Sequence, residues 1–229
     1  MIKAVLIDID NTLLSFDGYV KATLKEGFKR FELAEYEDWM YDVFTRINLN
    51  FWHGLEKGEV TFEDIERDRF NAVFKEIGIE YDGPTFEKYF RECLNDSAIV
   101  MDGAMELLRY LKGRYILCSA SNGPYYQQTN RLRLASMLDF FDMHFISEEV
   151  GYSKPSEEFF KTVMERLNEK EKILSSECVI IGDSITSDMT GGKRCGMVTC
   201  WFNPDGLDVP DGMKLDYVIK RFEEVEEFI

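Results

Sequence analysis

The stretch Ile2-Lys3-Ala4-Val5-Leu6-Ile7-Asp8-Ile9-Asp10-Asn11-Thr12 decides the fold. Ile2 to Ile7 is apolar apart from one lysine, and it gives way at once to two aspartates, an asparagine and a threonine. A strand with one wet face alternates apolar and polar residues, whereas a run that is apolar throughout suits a strand buried on both faces of a parallel sheet. Further runs of this kind follow at Tyr115 to Cys118, His144 to Ile146, Cys178 to Ile181, Met197 to Phe202 and Tyr217 to Ile219. The segments between them, such as Asp102 to Lys112 and Ser156 to Asn168, carry helical spacing. This alternation of strand and helix predicts an α/β fold built on a doubly wound parallel sheet.

One stretch breaks the rhythm. From Phe16 to Asn95 there is no good strand run, and aromatic-rich helical patterns take its place at Val20 to Phe31, Trp39 to Trp52, Phe62 to Ile77 and Phe86 to Leu94. Breaks are expected at His53-Gly54, at Gly58 and at Gly78 to Pro84, and Thr61 with Asp64 three residues on has capping-box spacing. The expected organisation is a Rossmann-like catalytic core of residues 1–15 and 98–229, with residues 16–97 inserted as an all-helical cap domain. Asn203 to Asp216, with its Asp205-Gly206 and Asp211-Gly212 dipeptides, reads as a surface loop. Gly191-Gly192-Lys193 is no P-loop, because Ser187 stands where that pattern needs glycine.

The chain of 229 residues carries 27 Lys and Arg against 43 Asp and Glu, a formal charge of −16. That balance argues against nucleic acid or anionic membrane as a partner, since counterion release needs a basic face. No apolar run approaches the roughly 20 residues that span a bilayer, and two aspartates interrupt the apolar start, unlike a signal peptide. The five cysteines form no CxxC pair, and with only His53 and His144 available no Cys/His zinc site has partners at ligand spacing. All five are expected to be reduced and structural, which places the protein in the cytoplasm. His53, beside Trp52 at a helix end, also reads as structural.

The chemistry lies where the strands end. In a parallel sheet, ligands bind beyond the carboxyl ends of the strands, near a switch in strand order. Here those ends deliver Asp8 and Asp10, then Ser121 and Asn122, then Lys154 in the loop after the third strand, then Asp183 with Asp188 five residues on. Any one of them alone would read as a turn or a helix cap. Four carboxylates drawn together raise one another's pKa unless a cation compensates. Oxygen-only donors with no nearby His or Cys point to a hard divalent ion, and few protein ligands beside a phosphate point to Mg²⁺.

These residues carry a resemblance. Asp8-Ile9-Asp10-Asn11-Thr12, Ser121-Asn122-Gly123, Lys154-Pro155 and Gly182-Asp183-Ser184 with Asp188 resemble, in order, the four motifs of the haloacid dehalogenase-like hydrolase superfamily. The helical insertion is like the type 1 cap of its subfamily I. The resemblance implies that Asp8 is the nucleophile and forms an aspartyl-phosphate, with Asp10 as general acid and then base. It implies Mg²⁺ held by Asp8, the Asp10 backbone carbonyl and Asp183, with Asp188 orienting bound water. Lys154, the Ser121 hydroxyl and backbone N–H groups near Asn122 would hold the phosphate. The second carboxyl, Asp10, is what the superfamily's dehalogenases lack.

Ile47-Asn48, Phe51-Trp52, Gly58-Glu59-Val60-Thr61, Arg69-Phe70 and Cys200-Trp201-Phe202-Asn203 further resemble the pyrimidine 5′-nucleotidase family, apart from serine at 121 where those enzymes usually carry threonine. The expectation is a Mg²⁺-dependent phosphomonoesterase acting on a small phosphorylated substrate, a nucleoside 5′-monophosphate. A sugar phosphate or other small phosphate ester stands as the alternative, and a non-catalytic phosphate-binding regulator as a more distant one.

Overall fold

Val5 and Ile7 face one side of the first strand and Ala4 and Leu6 the other, and all four are buried. The structure is a computed structural model in which residues 1–169 and 172–229 are described. Strand β1 (Ala4–Ile7) is followed in the chain by helices α1 (Phe16–Arg30), α2 (Asp38–Lys57), α3 (Phe62–Ile77) and α4 (Gly83–Asn95). Then come α5 (Ala104–Leu111), β2 (Ile116–Ser121), α6 (Tyr125–Leu134), β3 (Met143–Ile146), α7 (Ser147–Val150) and α8 (Glu157–Asn168). The chain continues through β4 (Cys178–Gly182), a π-helical turn at Ile185–Met189, α9 (Thr190–Arg194), β5 (Val198–Phe202) and β6 (Tyr217–Ile219). Two compact units result: Met1–Ser15 with Ala98–Ile229, and Phe16–Ser97.

In the sheet unit all neighbouring strands run parallel, in the order β3-β2-β1-β4-β5-β6. The doubly wound, Rossmann-like α/β expectation is borne out. Leu107, Leu108 and Leu111 of α5 cover the Val5–Ile7 face, and Phe159, Phe160, Val163 and Leu167 of α8 cover the opposite one. Each such side chain fully buried contributes about 1.5–3 kcal/mol relative to exposure. Strand β2 runs past the expected Cys118 through Ser119, Ala120 and Ser121, small residues that the sequence reading left outside the strand. The chain winds out from β1 to β3, then crosses back to β4 on the other side of β1. The strand order therefore reverses at β1, where such sheets open a crevice beyond the strand ends.

The helical unit packs its own aromatic core. Phe70 meets Phe44, Phe74, Phe86 and Phe90 with ring centroids 4.7 to 5.7 Å apart. Arg69 is buried beside these rings, donating from Nε and Nη2 to the Glu87 carboxylate (3.1 and 2.6 Å) and from Nη1 to Asn48 Oδ1 (2.6 Å). The capping box at Thr61 forms as its spacing requires. The break expected at His53-Gly54 is absent: α2 runs through Gly54 and ends at Gly58, whose φ of +72° is left-handed. A Cβ on Gly54 would stand 3.1 Å from Val60 Cγ2, so glycine there serves close packing against the following turn rather than helix termination. No helix among the described residues is long and apolar enough to cross a membrane.

Candidate active site

The register of β1 sets the geometry. Ile7 lies level with Ser119 on one side and Ile181 on the other, so Asp8, which donates its backbone N–H to the Ile181 carbonyl (2.9 Å), emerges between the ends of β2 and β4. Beyond it the chain must turn away, and Asn11 accomplishes this at φ +55°, a left-handed conformation that asparagine tolerates better than most residues. The N–H groups of Leu13 and Leu14 then return to the Ile9 carbonyl, both at 2.9 Å. Thr12 is fully buried, and its Oγ1 accepts from the Asp183 backbone N–H (3.1 Å), joining the loops after β1 and β4. From β5, the Trp201 indole N–H donates to the Asp183 carbonyl (2.7 Å).

Lys154 is the hub. Its Nζ is buried and donates to Asp8 Oδ1 (2.7 Å), Asp188 Oδ1 (2.6 Å) and the Ala120 carbonyl (2.6 Å). Its backbone is clamped by the Asn122 side chain, whose Nδ2 donates to the Lys154 carbonyl (2.9 Å) and whose Oδ1 accepts from the Lys154 N–H (2.8 Å). Burial alone would lower the ammonium's pKa, but Asp188 and Asp8 outweigh it and hold it above the usual lysine range. Burial pushes Asp8 up to about 7, against the pull of Lys154 and with the push of Asp188. Burial and the like charges of Asp8 and Asp188 likewise drive Asp183 well above the usual carboxylate range.

Carboxylate oxygens of Asp8, Asp183 and Asp188 lie within 4.8 Å of one another. Three carboxylates against one ammonium leave a negative excess, and the donors are all oxygen, which fits a hard divalent cation. Asp188 spends both oxygens inside the protein, one on Lys154 and the other accepting from the Ser184 N–H (3.2 Å). A Cβ on Gly182 would stand 2.2 Å from Asp188 Oδ2, so glycine is what lets that carboxylate lie against the end of β4.

Asp10 is held separately. Its Oδ1 accepts from Arg131 Nη1 (2.6 Å) and its Oδ2 from Gln128 Nε2 (2.7 Å), both on α6. Gln128 Nε2 also donates to Ser121 Oγ (2.9 Å). A nucleophile-sized carboxylate, a second carboxyl two residues on, a buried ammonium and a hydroxyl thus gather at the reversal of strand order, the arrangement expected of group transfer through an enzyme carboxylate.

A family model for haloacid dehalogenase-like hydrolases matches residues 2–196. The chain belongs to this family. It is an enzyme, a hydrolase. The HAD-hydrolase YfnB of Bacillus subtilis is 34% identical over 224 residues, spanning 97% of this chain and 93% of that one. Its crystal structure, bound to magnesium, superposes with a TM-score of 0.90 at 32% identity, covering 99% of this chain and 97% of the other. The pyrimidine 5′-nucleotidase PynA of Streptococcus pneumoniae is 30% identical over 226 residues (97% and 93% of the two chains). A glyceraldehyde 3-phosphate phosphatase of Pyrococcus furiosus is 30% identical over 240 residues (100% and 93%). The resemblance to this superfamily, and to its pyrimidine 5′-nucleotidases, is borne out.

The hydrolase draws Asp8, Lys154, Asp183 and Asp188 into one cluster and links Asp10 to Ser121 through Gln128. Gln128 and Arg131 escaped the sequence reading. Their only signal was a polar pair three residues apart on a helix that follows directly from the Ser121 strand. Arg69 and Phe70, part of the nucleotidase likeness, are buried in the helical unit, with half-buried Asn48 beside them, and every nitrogen of the Arg69 guanidinium already has an acceptor. Gly191 and Gly192 face Phe160 and Ile180 in close packing.

Proposed function

We propose that this hydrolase is a Mg²⁺-dependent phosphomonoesterase that works through an aspartyl-phosphate on Asp8 and acts on nucleoside 5′-monophosphates. The observation that carries the reading is the Asp8–Asp10 pair beside the Lys154 hub at the strand reversal. Asp8 attacks phosphorus, and its P–O bond forms as the ester P–O bond breaks. Asp10 gives its proton to the departing alkoxide, then takes one from the water that attacks the aspartyl-phosphate and frees Asp8. Lys154, the Ser121 hydroxyl and N–H groups near Asn122 hold the phosphoryl oxygens as charge shifts. Asp8, the Asp10 carbonyl and Asp183 would hold Mg²⁺, with Asp188 behind them steadying Lys154. When bound, the ion would supply positive charge to the phosphoryl oxygens and favour the ionised form of buried Asp8.

Likeness to the pneumococcal pyrimidine 5′-nucleotidase supports a nucleotide substrate. Likeness to the Pyrococcus phosphatase supports the second reading, a sugar or triose phosphate. Five cysteines without a disulfide suit the reducing cytoplasm. Phosphate release from a panel of nucleoside and sugar phosphates, with Mg²⁺ and with excess EDTA, tests the proposal. Metal-dependent release favouring pyrimidine nucleotides is expected, with Asp8→Asn inactive but folded. No release from any ester by folded, Mg²⁺-loaded protein would overturn it.

A further inference from the structure

The Asp10 carboxylate is closed by a ring of hydrogen bonds whose other members all come from β2 and α6. Arg131 Nη1 bridges Asp10 Oδ1 (2.6 Å) and Gln128 Oε1 (2.9 Å), and Gln128 Nε2 bridges Asp10 Oδ2 (2.7 Å) and Ser121 Oγ (2.9 Å). The chemistry of the partners fixes the amide's orientation. A carboxylate only accepts and a guanidinium only donates, so the nitrogen must face Asp10 and the oxygen Arg131. The Ser121 oxygen, accepting from Gln128, keeps its hydroxyl hydrogen free to donate elsewhere. Within the protein that hydrogen finds the Asn122 carbonyl at 3.5 Å, the limit of a hydrogen bond.

Gln128 and Arg131 are 2% and 1% exposed, while the Asp10 side chain is 30% exposed. Two buried polar side chains of α6 thus reach Asp10, and through Gln128 also Ser121, the proposed proton carrier and one of the proposed phosphate-holding groups. A guanidinium needed only for packing would cost several kcal/mol to bury and would be replaceable by an apolar side chain.

We propose that Gln128 and Arg131 are positioning residues for the proposed reaction: together they aim the Asp10 carboxyl, and Gln128 turns the Ser121 hydroxyl outward as a donor to the substrate's phosphoryl oxygen. The inference rests on the phosphomonoesterase reading and deepens it. Because Asp10 serves proton transfer, loss of Arg131 harms those steps that need a proton moved and spares the one that does not, whereas loss of Gln128 also takes the Ser121 donor from the phosphoryl oxygen. In p-nitrophenyl phosphate the leaving nitrophenolate departs with its electron pair and needs no proton. Asp8 can then be phosphorylated without Asp10, whereas hydrolysis of the aspartyl-phosphate still needs a base.

Rapid-mixing kinetics of Gln128→Met, Arg131→Met and Arg131→Lys, beside wild type and Asp10→Asn, test this, with thermal unfolding as the check on folding. The expected result with p-nitrophenyl phosphate is a first turnover within about threefold of wild type for the Arg131 variants and a slower one for Gln128→Met, which also loses the Ser121 donor. The steady state that follows, and turnover of an unactivated alkyl phosphate, should fall on the order of 10- to 100-fold. Arg131→Lys should recover part of that loss, because one donor to Asp10 is restored. Folded Met variants that turn over the alkyl phosphate at the wild-type rate would overturn the inference. So would an equal loss in first turnover and steady state in Arg131→Met, which marks a general disturbance of the site. A wild type that phosphorylates and releases nothing overturns the phosphomonoesterase reading, whereas an active wild type with unimpaired variants overturns the positioning roles alone.

Discussion

Lys154→Met is the substitution on which the electrostatics of the site turn. The Lys154 ammonium, 1% exposed, is the cation for two buried carboxylates and a donor to the Ala120 carbonyl. Methionine fills nearly the same space, so packing is largely kept and charge is lost. Removing one partner of a buried pair costs about 3–5 kcal/mol, because the other charge is left uncompensated. In a chain of this length each kcal/mol moves the midpoint by about 2–4 °C, so the sheet unit should melt roughly 6–20 °C lower.

The pH dependence follows from Asp8 and Asp183. Both are raised above ordinary carboxylate values in the fold, Asp8 to about 7. A group whose folded pKa is raised binds its proton more tightly in the native state. Its contribution is fully present at low pH and is lost as pH rises through the folded pKa. Lys154 is the group that holds Asp8 down, so removing it raises Asp8 further and steepens that loss. Thermal unfolding in EDTA at pH 5 and pH 8 should therefore show a larger gap between wild type and Lys154→Met at pH 8. Adding Asp188→Asn should recover part of the stability, since one of the uncompensated charges goes with it. Equal gaps at the two pH values, or a variant as stable as wild type, would refute the electrostatic account.

Two further outcomes are expected. Gly182→Ala places a methyl 2.2 Å from Asp188 Oδ2, so the carboxylate or the end of β4 must shift; a loss of about 1–3 kcal/mol and weaker Mg²⁺-induced stabilisation should appear in unfolding scans with and without Mg²⁺. In the helical unit, Arg69→Met leaves the Glu87 carboxylate buried without its cation and should cost about 3–5 kcal/mol, while Arg69→Met with Glu87→Leu should unfold near wild type, a contrast that a double-mutant cycle measures directly.

Where the sequence was legible, the reason was burial on both faces. Val5, Leu6, Ile180 and Ile181 declare a central parallel strand because neither side of it can be polar. Ser119, Ala120 and Ser121 declare nothing of the kind, although β2 includes them. They are small and half polar because the strand end must pass beside the Lys154 ammonium and because Ser119 Oγ pairs with His144 Nδ1 (2.8 Å). The helix stop misread at Gly54 has the same root: the glycine answers to Val60, a residue in the next turn of chain, and its local reading is silent about that. Gln128 and Arg131 are harder still. On a helix of mixed composition a glutamine and an arginine three apart look like a solvated face, and only the strand order brings that face onto Asp10.

The two aspartates of the first loop stand two residues apart, with Ile9 buried in the core between them, so an extended backbone presents both carboxyls to the same side. The fold then gives each its own cation, Lys154 to Asp8 and Arg131 to Asp10, from elements that approach along different strands. Separate cations let one carboxyl sit buried and fixed while the other stays partly open, a division that suits the nucleophile and proton carrier proposed for them. Among the described residues, Asp8, Asp10, Asp183 and Asp188 nonetheless meet two buried cations, within a chain whose formal charge is −16. Lys154, already set between Asp8 and Asp188, meets a phosphate dianion with no net positive charge around it. The divalent ion proposed above, held by oxygen donors, would supply the positive field that draws an ester to Asp8.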